Sequence, residues 1–143
     1  LQYPGLTLCQ DDALAYVASH DDTYDYLVDD LFLDGVQDPE RPAPVGRAWL
    51  TALFERTTSN GVLIQNHLEV QQARACFKGN QTWFKAQFSR VLLLRSSTYT
   101  NGVLAAYRGP VDVRQIAQQL KLGLAARGLS TTGLNRISIA VLQ

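Results

Sequence analysis

Apolar positions recur at helical spacing through most of the chain and alternate at strand spacing near its end. Leu14, Val17 and Ala18 share one face of a helix predicted over residues 7–20. Thr7 and Gln10 fit a capping box there, and Asp11 and Asp12 suit its first turns. Tyr24, Leu27, Val28, Leu31 and Phe32 follow the i, i+3, i+4, i+7, i+8 stripe of an amphipathic helix over residues 22–34. Asp22 would be its N-cap and Gly35 its stop. Pro39, Pro42 and Pro44 make residues 36–44 a loop. Trp49, Leu50, Leu53 and Phe54 form the buried side of a third helix over residues 45–56, and Asn60-Gly61 predicts a turn. Leu63, Val70 and Phe77 stand seven apart with Ile64, Leu68 and Ala75 beside them. That spacing predicts a long helix over residues 61–78 with Gly79 as its stop, although Val62-Leu63-Ile64 also suits the start of a strand. His67 falls off this line, which makes it a surface or edge histidine.

The second half reads differently. Phe84 and Phe88 continue a helix begun at Asn80 or Thr82, which ends near Phe88. Val91-Leu92-Leu93-Leu94, the β-favouring Ser96–Thr100 stretch and Asn101-Gly102 predict a hairpin over residues 90–108. Gly109-Pro110 ends it. Asp112 with Gln115 caps a helix running to Arg127, with Val113, Ile116, Ala117, Leu120 and Leu124 as its stripe and Gly128 as its stop. Ile137, Ile139 and Val141 alternate as a strand over residues 136–142. The expected fold is α+β. A helical N-terminal part packs on a small antiparallel sheet made of the hairpin and the C-terminal strand, and helix 112–127 covers it. With 143 residues, 46% of them hydrophobic, one domain over residues 1–143 is expected, because two halves of this size would each be marginal.

Charge adds an asymmetry that the apolar pattern hides. Up to Val70 the chain has twelve acids and three bases, and from Gln71 it has ten bases and one acid, Asp112. The halves 1–70 and 71–143 are formally −9 and +9, and the whole chain is neutral. No apolar run approaches the ~20 residues that span a bilayer, so no membrane partner is expected. No charged and then apolar leader is present, and a soluble, cytoplasmic chain is the expectation. The absence of methionine suggests a processed chain or a domain of a longer one. Cys9 and Cys76 are expected to be reduced, small buried hydrophobes rather than a disulfide.

Candidate chemistry is sparse. Asp21, Asp22, Asp25, Asp29 and Asp30 cluster on the predicted second helix, where an acidic face would dock a basic protein partner or a second copy. His20 with Asp21 and Asp22 is similar to the His-Asp pair of metal-dependent phosphohydrolases, but such sites need further ligands and only His67 remains. No metal and no cofactor are therefore predicted. Lys78, Lys85, Arg90, Arg114 and Lys121 are candidate anion or nucleic-acid contacts, because Phe77, Trp83, Phe84 and Phe88 interleave with the bases. On a helix, however, Phe84 and Phe88 share a buried face while Lys85 and Arg90 diverge, which favours a core with solvated flanks; a coherent basic edge exists only at Arg114, Gln118 and Lys121. Leu124 to Ile137 has the flavour of a helix-turn-helix, yet a helix, a loop and a strand explain it with fewer exceptions. Phosphate-loop, dinucleotide, nucleophile-elbow and HExxH motifs are absent. The expected function is a non-catalytic regulatory or assembly module that binds a protein partner through charged surfaces. A nucleic-acid-binding domain and a small hydrolase are the alternatives.

Overall fold

A computed structural model describes residues 5–32 and 46–143. Among these, five helices pack on one five-stranded sheet. Helix α1 spans Ala13–Ser19, strand β1 Tyr24–Asp29, helix α2 Arg47–Glu55 and strand β2 Thr57–His67. Helices α3 (Val70–Gly79) and α4 (Gln81–Gln87) follow, then strands β3 (Arg90–Ser96) and β4 (Gly102–Tyr107). Helix α5 (Val113–Ala125), a 3₁₀ turn (Thr132–Arg136) and strand β5 (Ile137–Val141) complete the chain. The strand order is β1-β2-β4-β3-β5. The α+β class stands, with helices on a small sheet. The sheet is mixed, however: β1 runs parallel to β2, and the other pairings are antiparallel.

One predicted helix is a strand, and a second is strand in its first half. Residues 24–29 carry the apolar stripe expected of a helix, but Tyr24, Tyr26 and Val28 also alternate with Asp25, Leu27 and Asp29, and the strand period wins. Pairing of Tyr26 with Val62, Leu27 with Leu63 and Val28 with Ile64 satisfies the backbone in a way no local signal reports. The long helix expected over residues 61–78 is divided. Thr57–His67 is β2, and the helix begins only at Val70. His67 is therefore buried at the end of β2 opposite Gly102, not at a surface. Asn60-Gly61 makes no separate turn; Tyr24 pairs with Thr57 and Tyr26 with Val62, so residues 58–61 bulge within β2. Helix α1 starts later than expected, because Asp12 rather than Thr7 is the cap and accepts from the Ala15 amide at 2.9 Å. Gly35 and the loop 36–44 lie outside the described residues.

The hairpin and α5 are where the sequence places them. Ser97–Asn101 connects β3 to β4, with Gly102 as the first residue of the return strand. A Cβ at Gly102 would stand 2.7 Å from Val70 Cα, so only glycine lets β4 approach the start of α3. The Asp112 side chain accepts from the Arg114 amide at 3.0 Å and from Gln115 Nε2 at 3.0 Å. Gly128, at φ +67, ends the helix: the Leu129 amide donates back to the Leu124 carbonyl at 2.9 Å and the Gly128 amide to Ala125 at 3.0 Å.

The core has two faces. Helices α2, α3 and α4 bury Leu50, Ala73, Phe77 and Phe84 against Leu63, Val91, Leu93 and Leu104 of the sheet. The rings of Phe54, Trp83 and Phe88 meet edge to face with centroids 5.4–5.9 Å apart, an arrangement that adds roughly 0.5–1.5 kcal/mol per pair beyond burial. On the other face, Ile116 of α5 covers Val62, Leu92 and Ala105. Arg108 holds the α2–β2 corner. Its guanidinium donates to the carbonyls of Thr57 and Phe54 and lies 4.1 Å from the centre of the Phe54 ring. Cys76 packs at the core, whereas Cys9 is exposed, contrary to expectation. No described helix is long and apolar enough to cross a membrane.

Glycine substitutions separate packing from propensity. Gly102→Ala is expected to cost roughly 1–3 kcal/mol, because the methyl group meets backbone that cannot yield. Gly79→Ala, with nothing within 4 Å of the new Cβ at the end of α3, is expected to be neutral or stabilising by up to about 1 kcal/mol. Urea unfolding of both variants gives the comparison, and equal midpoints would refute the close β4–α3 approach.

Candidate functional site

Parallel pairing sends the carboxyl ends of β1 and β2 to the same edge of the sheet. Ligands of open α/β sheets bind outside such ends. Here β1 ends at Asp29, β2 ends at Gln65, Asn66 and His67, and antiparallel β4 contributes its start at Asn101-Gly102. Asp29 is only 2% exposed, and its Oδ2 accepts from Trp49 Nε1 at 3.1 Å and Gln65 Nε2 at 2.9 Å. A buried carboxylate is costly unless donors compensate it, and this one is held by an indole and an amide from two different elements. Gln65 Oε1, also buried, accepts no hydrogen bond among the described residues. Beside this centre, Asp30 Oδ1 accepts from Asn66 Nδ2 at 2.8 Å, and Asn66 Oδ1 accepts from Asn101 Nδ2 at 3.2 Å.

Asp29 also lines a concave, mainly apolar pocket of about 200 Å³ between α1, β1 and α2. Tyr16, His20, Tyr24, Trp49 and Arg56 contribute its wall. The Tyr16 and His20 rings stack with centroids 4.0 Å apart. Arg56 donates to the Val17 carbonyl at 3.3 Å and pairs with Asp21 at 3.1 Å, which ties α1 to the end of α2. The Tyr16 phenol is raised above its ordinary value, first by its hydrogen bond with Tyr24 and then by the charge Tyr24 acquires on ionisation.

The predicted acidic residues do not share a helix face. Asp21 and Asp22 are exposed in the segment before β1, where Asp22 lines the pocket; Asp25 lies on β1 and accepts from Thr58 Oγ1 at 2.7 Å. Asp29 is the buried carboxylate, and Asp30 follows at the strand end. The cations are likewise dispersed. Lys78 and Lys85 are on α3 and α4 over one face of the sheet, whereas Arg114 and Lys121 are on α5 over the other. Arg90, on β3, donates to the Gln143 carbonyl at 3.3 Å. The aromatics between the bases are core: Phe77, Trp83, Phe84 and Phe88 are all buried, so none offers a ring for base stacking. Trp49 and Gln65, which fix Asp29, were not legible as site residues, because both contacts cross more than one element. No group of three or more metal-ligating side chains converges among the described residues.

Removing the Tyr24 hydroxyl tests the aromatic wall. In Tyr24→Phe the Tyr16 phenol is expected to fall back toward 10.0, read by ultraviolet difference titration. In the unsubstituted chain the raised phenol favours folding below the unfolded-state value and loses that contribution as pH climbs through the folded one. The alkaline decline in stability should therefore be shallower in the variant. An unchanged phenol titration would show that the two tyrosines do not interact.

No family model matches the chain, and no curated protein sequence matches it. A crystal structure of human methyltransferase-like protein 13 in complex with SAH does match in fold, with a TM-score of 0.63 and 20% sequence identity over 85% of this chain. The chain spans 59% of the length of that structure. The likeness corrects the expectation of a non-catalytic regulatory or assembly module: the fold is one found in a methyltransferase-like protein.

Proposed function

We propose that the chain forms part of a methyltransferase-type domain, and that the crevice at the carboxyl ends of β1 and β2 takes an adenosyl-sulfur ligand of the SAH kind. The observation that carries this reading is Asp29. It is a carboxylate buried at the end of a parallel strand, fixed by Trp49 and Gln65, and set in the wall of an aromatic pocket. The fold likeness to a protein crystallised with SAH supports it.

The residues present fit one portion of such a ligand. Tyr16, Tyr24 and Trp49 supply flat apolar surface of the kind on which a purine stacks, and Asp29 supplies a fixed acceptor for ligand hydroxyl or amine donors. The pocket's volume of about 200 Å³ lies below the ~300–1,000 Å³ usual for whole-ligand sites, so it accommodates part of the molecule. S-adenosylmethionine, the methylated form of the same ligand, supplies a methyl group on a cationic sulfur. The role derived for this chain is to hold and orient the ligand: Asp29 accepts from it, the aromatic wall excludes water, and Asp30 with Asn66 lines the open side toward an acceptor molecule.

Trp49 is its own reporter. Titration with SAH should change Trp49 fluorescence saturably and raise the melting temperature. Asp29→Asn should weaken binding about tenfold or more, as expected when a charge-assisted hydrogen bond to the ligand is lost. Trp83, the other tryptophan, is buried in the α4 core, so Trp49→Phe should remove the signal; because it also takes a donor from Asp29, circular dichroism should check that the variant folds. A chain that shows neither response up to millimolar SAH would overturn the assignment.

A further inference from the structure

Two antiparallel steps through β4 restore the strand sense, so β3 runs the same way as β1 and β2. Its carboxyl end opens at the same edge of the sheet, separated from the Asp29 pocket by β2 and β4. There the turn after β3 and the entry to β5 enclose a polar cleft of about 370 Å³ that contains Arg95 and Arg136. Strand register sets its geometry: Arg95 pairs with Ser138 and Ser96 with Ile137. Arg95 Nε donates to Ser138 Oγ at 2.8 Å, which orients the guanidinium and uses one of its five N–H groups. The Arg136 carbonyl accepts from the Ser97 amide at 2.9 Å, and Ser96 Oγ accepts from the Thr98 amide at 3.0 Å. These bonds tie the turn after β3 to the 3₁₀ turn that delivers Arg136. Ser96 and Ser138 act only as acceptors among the described residues, so each hydroxyl keeps a proton to donate.

We infer that this cleft binds a phosphate monoester. The inference goes beyond the proposed ligand and stands on separate observations. Among the described residues no carboxylate lines the cleft, so nothing there offsets its two positive charges. Glu69, whose neighbour Val70 donates to the Thr100 carbonyl of the same turn, does not line it. Asp112, the one acid of residues 71–143, lies at the opposite edge of the sheet. The groove at that edge brings Arg90 and Arg114 together, but Asp112 shares it and neutralises part of the charge. Two guanidinium groups balance a dianion. Their remaining N–H groups, with the hydroxyls of Ser96, Ser97 and Ser138, are all donors, as a tetrahedral group bearing several acceptor oxygens requires. A carboxylate brings one charge and two oxygens, which leaves donors unmet. A run of phosphodiesters needs cations that continue past the cleft. The other bases of this half stand on α3, α4 and α5, at the opposite edge, or, as Arg127 does, in a groove beside Tyr26.

Inorganic phosphate and phenyl phosphate, titrated into the whole chain labelled with nitrogen-15, are the probes. Both should move the amide signals of Ser96, Ser97 and Ser138 and the Nε signals of Arg95 and Arg136, saturably and at millimolar concentration. The double variant Arg95→Gln, Arg136→Gln changes two exposed side chains, so it should fold, as checked by circular dichroism, and bind about tenfold more weakly. Arg95→Lys with Arg136→Lys keeps both charges but loses the planar forks, and should fall between the two. Sulfate should compete and acetate should not. Affinity for phenyl phosphate should drop below about pH 6, where the monoester takes up a proton, because the described residues lining the cleft hold no ionisable groups besides the two arginines. A phosphoserine peptide that binds more tightly than phenyl phosphate assigns the group to a protein side chain, and the reverse order to a small molecule; either supports the site. Absence of saturable shifts, shifts that map away from the cleft, or an equal response to acetate overturns the inference. So does tighter binding of a single-stranded oligonucleotide that lacks a terminal phosphate, because the ligand would then be a diester. None of these readouts involves SAH or Trp49, so failure here leaves the ligand assignment to its own test.

Discussion

The parallel registration of β1 on β2 is the constraint on which the site depends. Had the two strands met antiparallel, Asp29 would stand at the opposite end of the sheet from Gln65, and the carboxylate would be buried without its amide donor. Because they run the same way, Asp29 pairs in register with Gln65, and the two side chains bond to each other. A parallel pair also needs a crossover, and α2 provides it. That helix then brings Trp49 over the same carboxylate as a second donor. Topology, crossover and buried charge are thus one arrangement. The antiparallel β4 extends it by bringing Asn101 to Asn66 at the same edge.

What was legible in the sequence was what is local. The 112–127 helix carries its own cap at Asp112 and its own stop at Gly128, and both operate within a few residues. The hairpin is written in adjacent residues in the same way. Strand β1 is not local. Tyr24, Leu27, Val28, Leu31 and Phe32 satisfy a helical stripe as well as a strand satisfies its alternation, and only pairing with a segment beyond α2 decides between them. The same holds for the site. Asp29 was visible as one of a run of acids, but its burial and its partners were not, since Trp49 and Gln65 reach it from distant parts of the chain. The aromatics at residues 77–88 were legible for the opposite reason. Their bases look like a binding surface in composition, but local helix geometry already turns the rings inward and leaves the charges outside, as the structure shows.

The charge division between the halves survives as a division of the sheet. Strands β1 and β2 of the acidic half stand on one side and β4, β3 and β5 of the basic half on the other, and the two meet at the β2–β4 pairing. Arg108 of the second half bonds carbonyls of the first at the corner of α2 and β2. The cations of the second half are nevertheless dispersed over both faces of the sheet, so the formal charge of that half does not amount to one charged surface.

The pocket and the strand pairing are best understood together. Tyr24, Leu27 and Val28 line the pocket from β1, which stands at the end of the sheet among the described residues. The carboxyl-end crevice of an α/β sheet is built from neighbouring parallel strands. This chain presents two, β1 and β2, with Asp29 at the centre of the junction between them. Trp49 and Gln65 offset the cost of burying Asp29 before any ligand arrives.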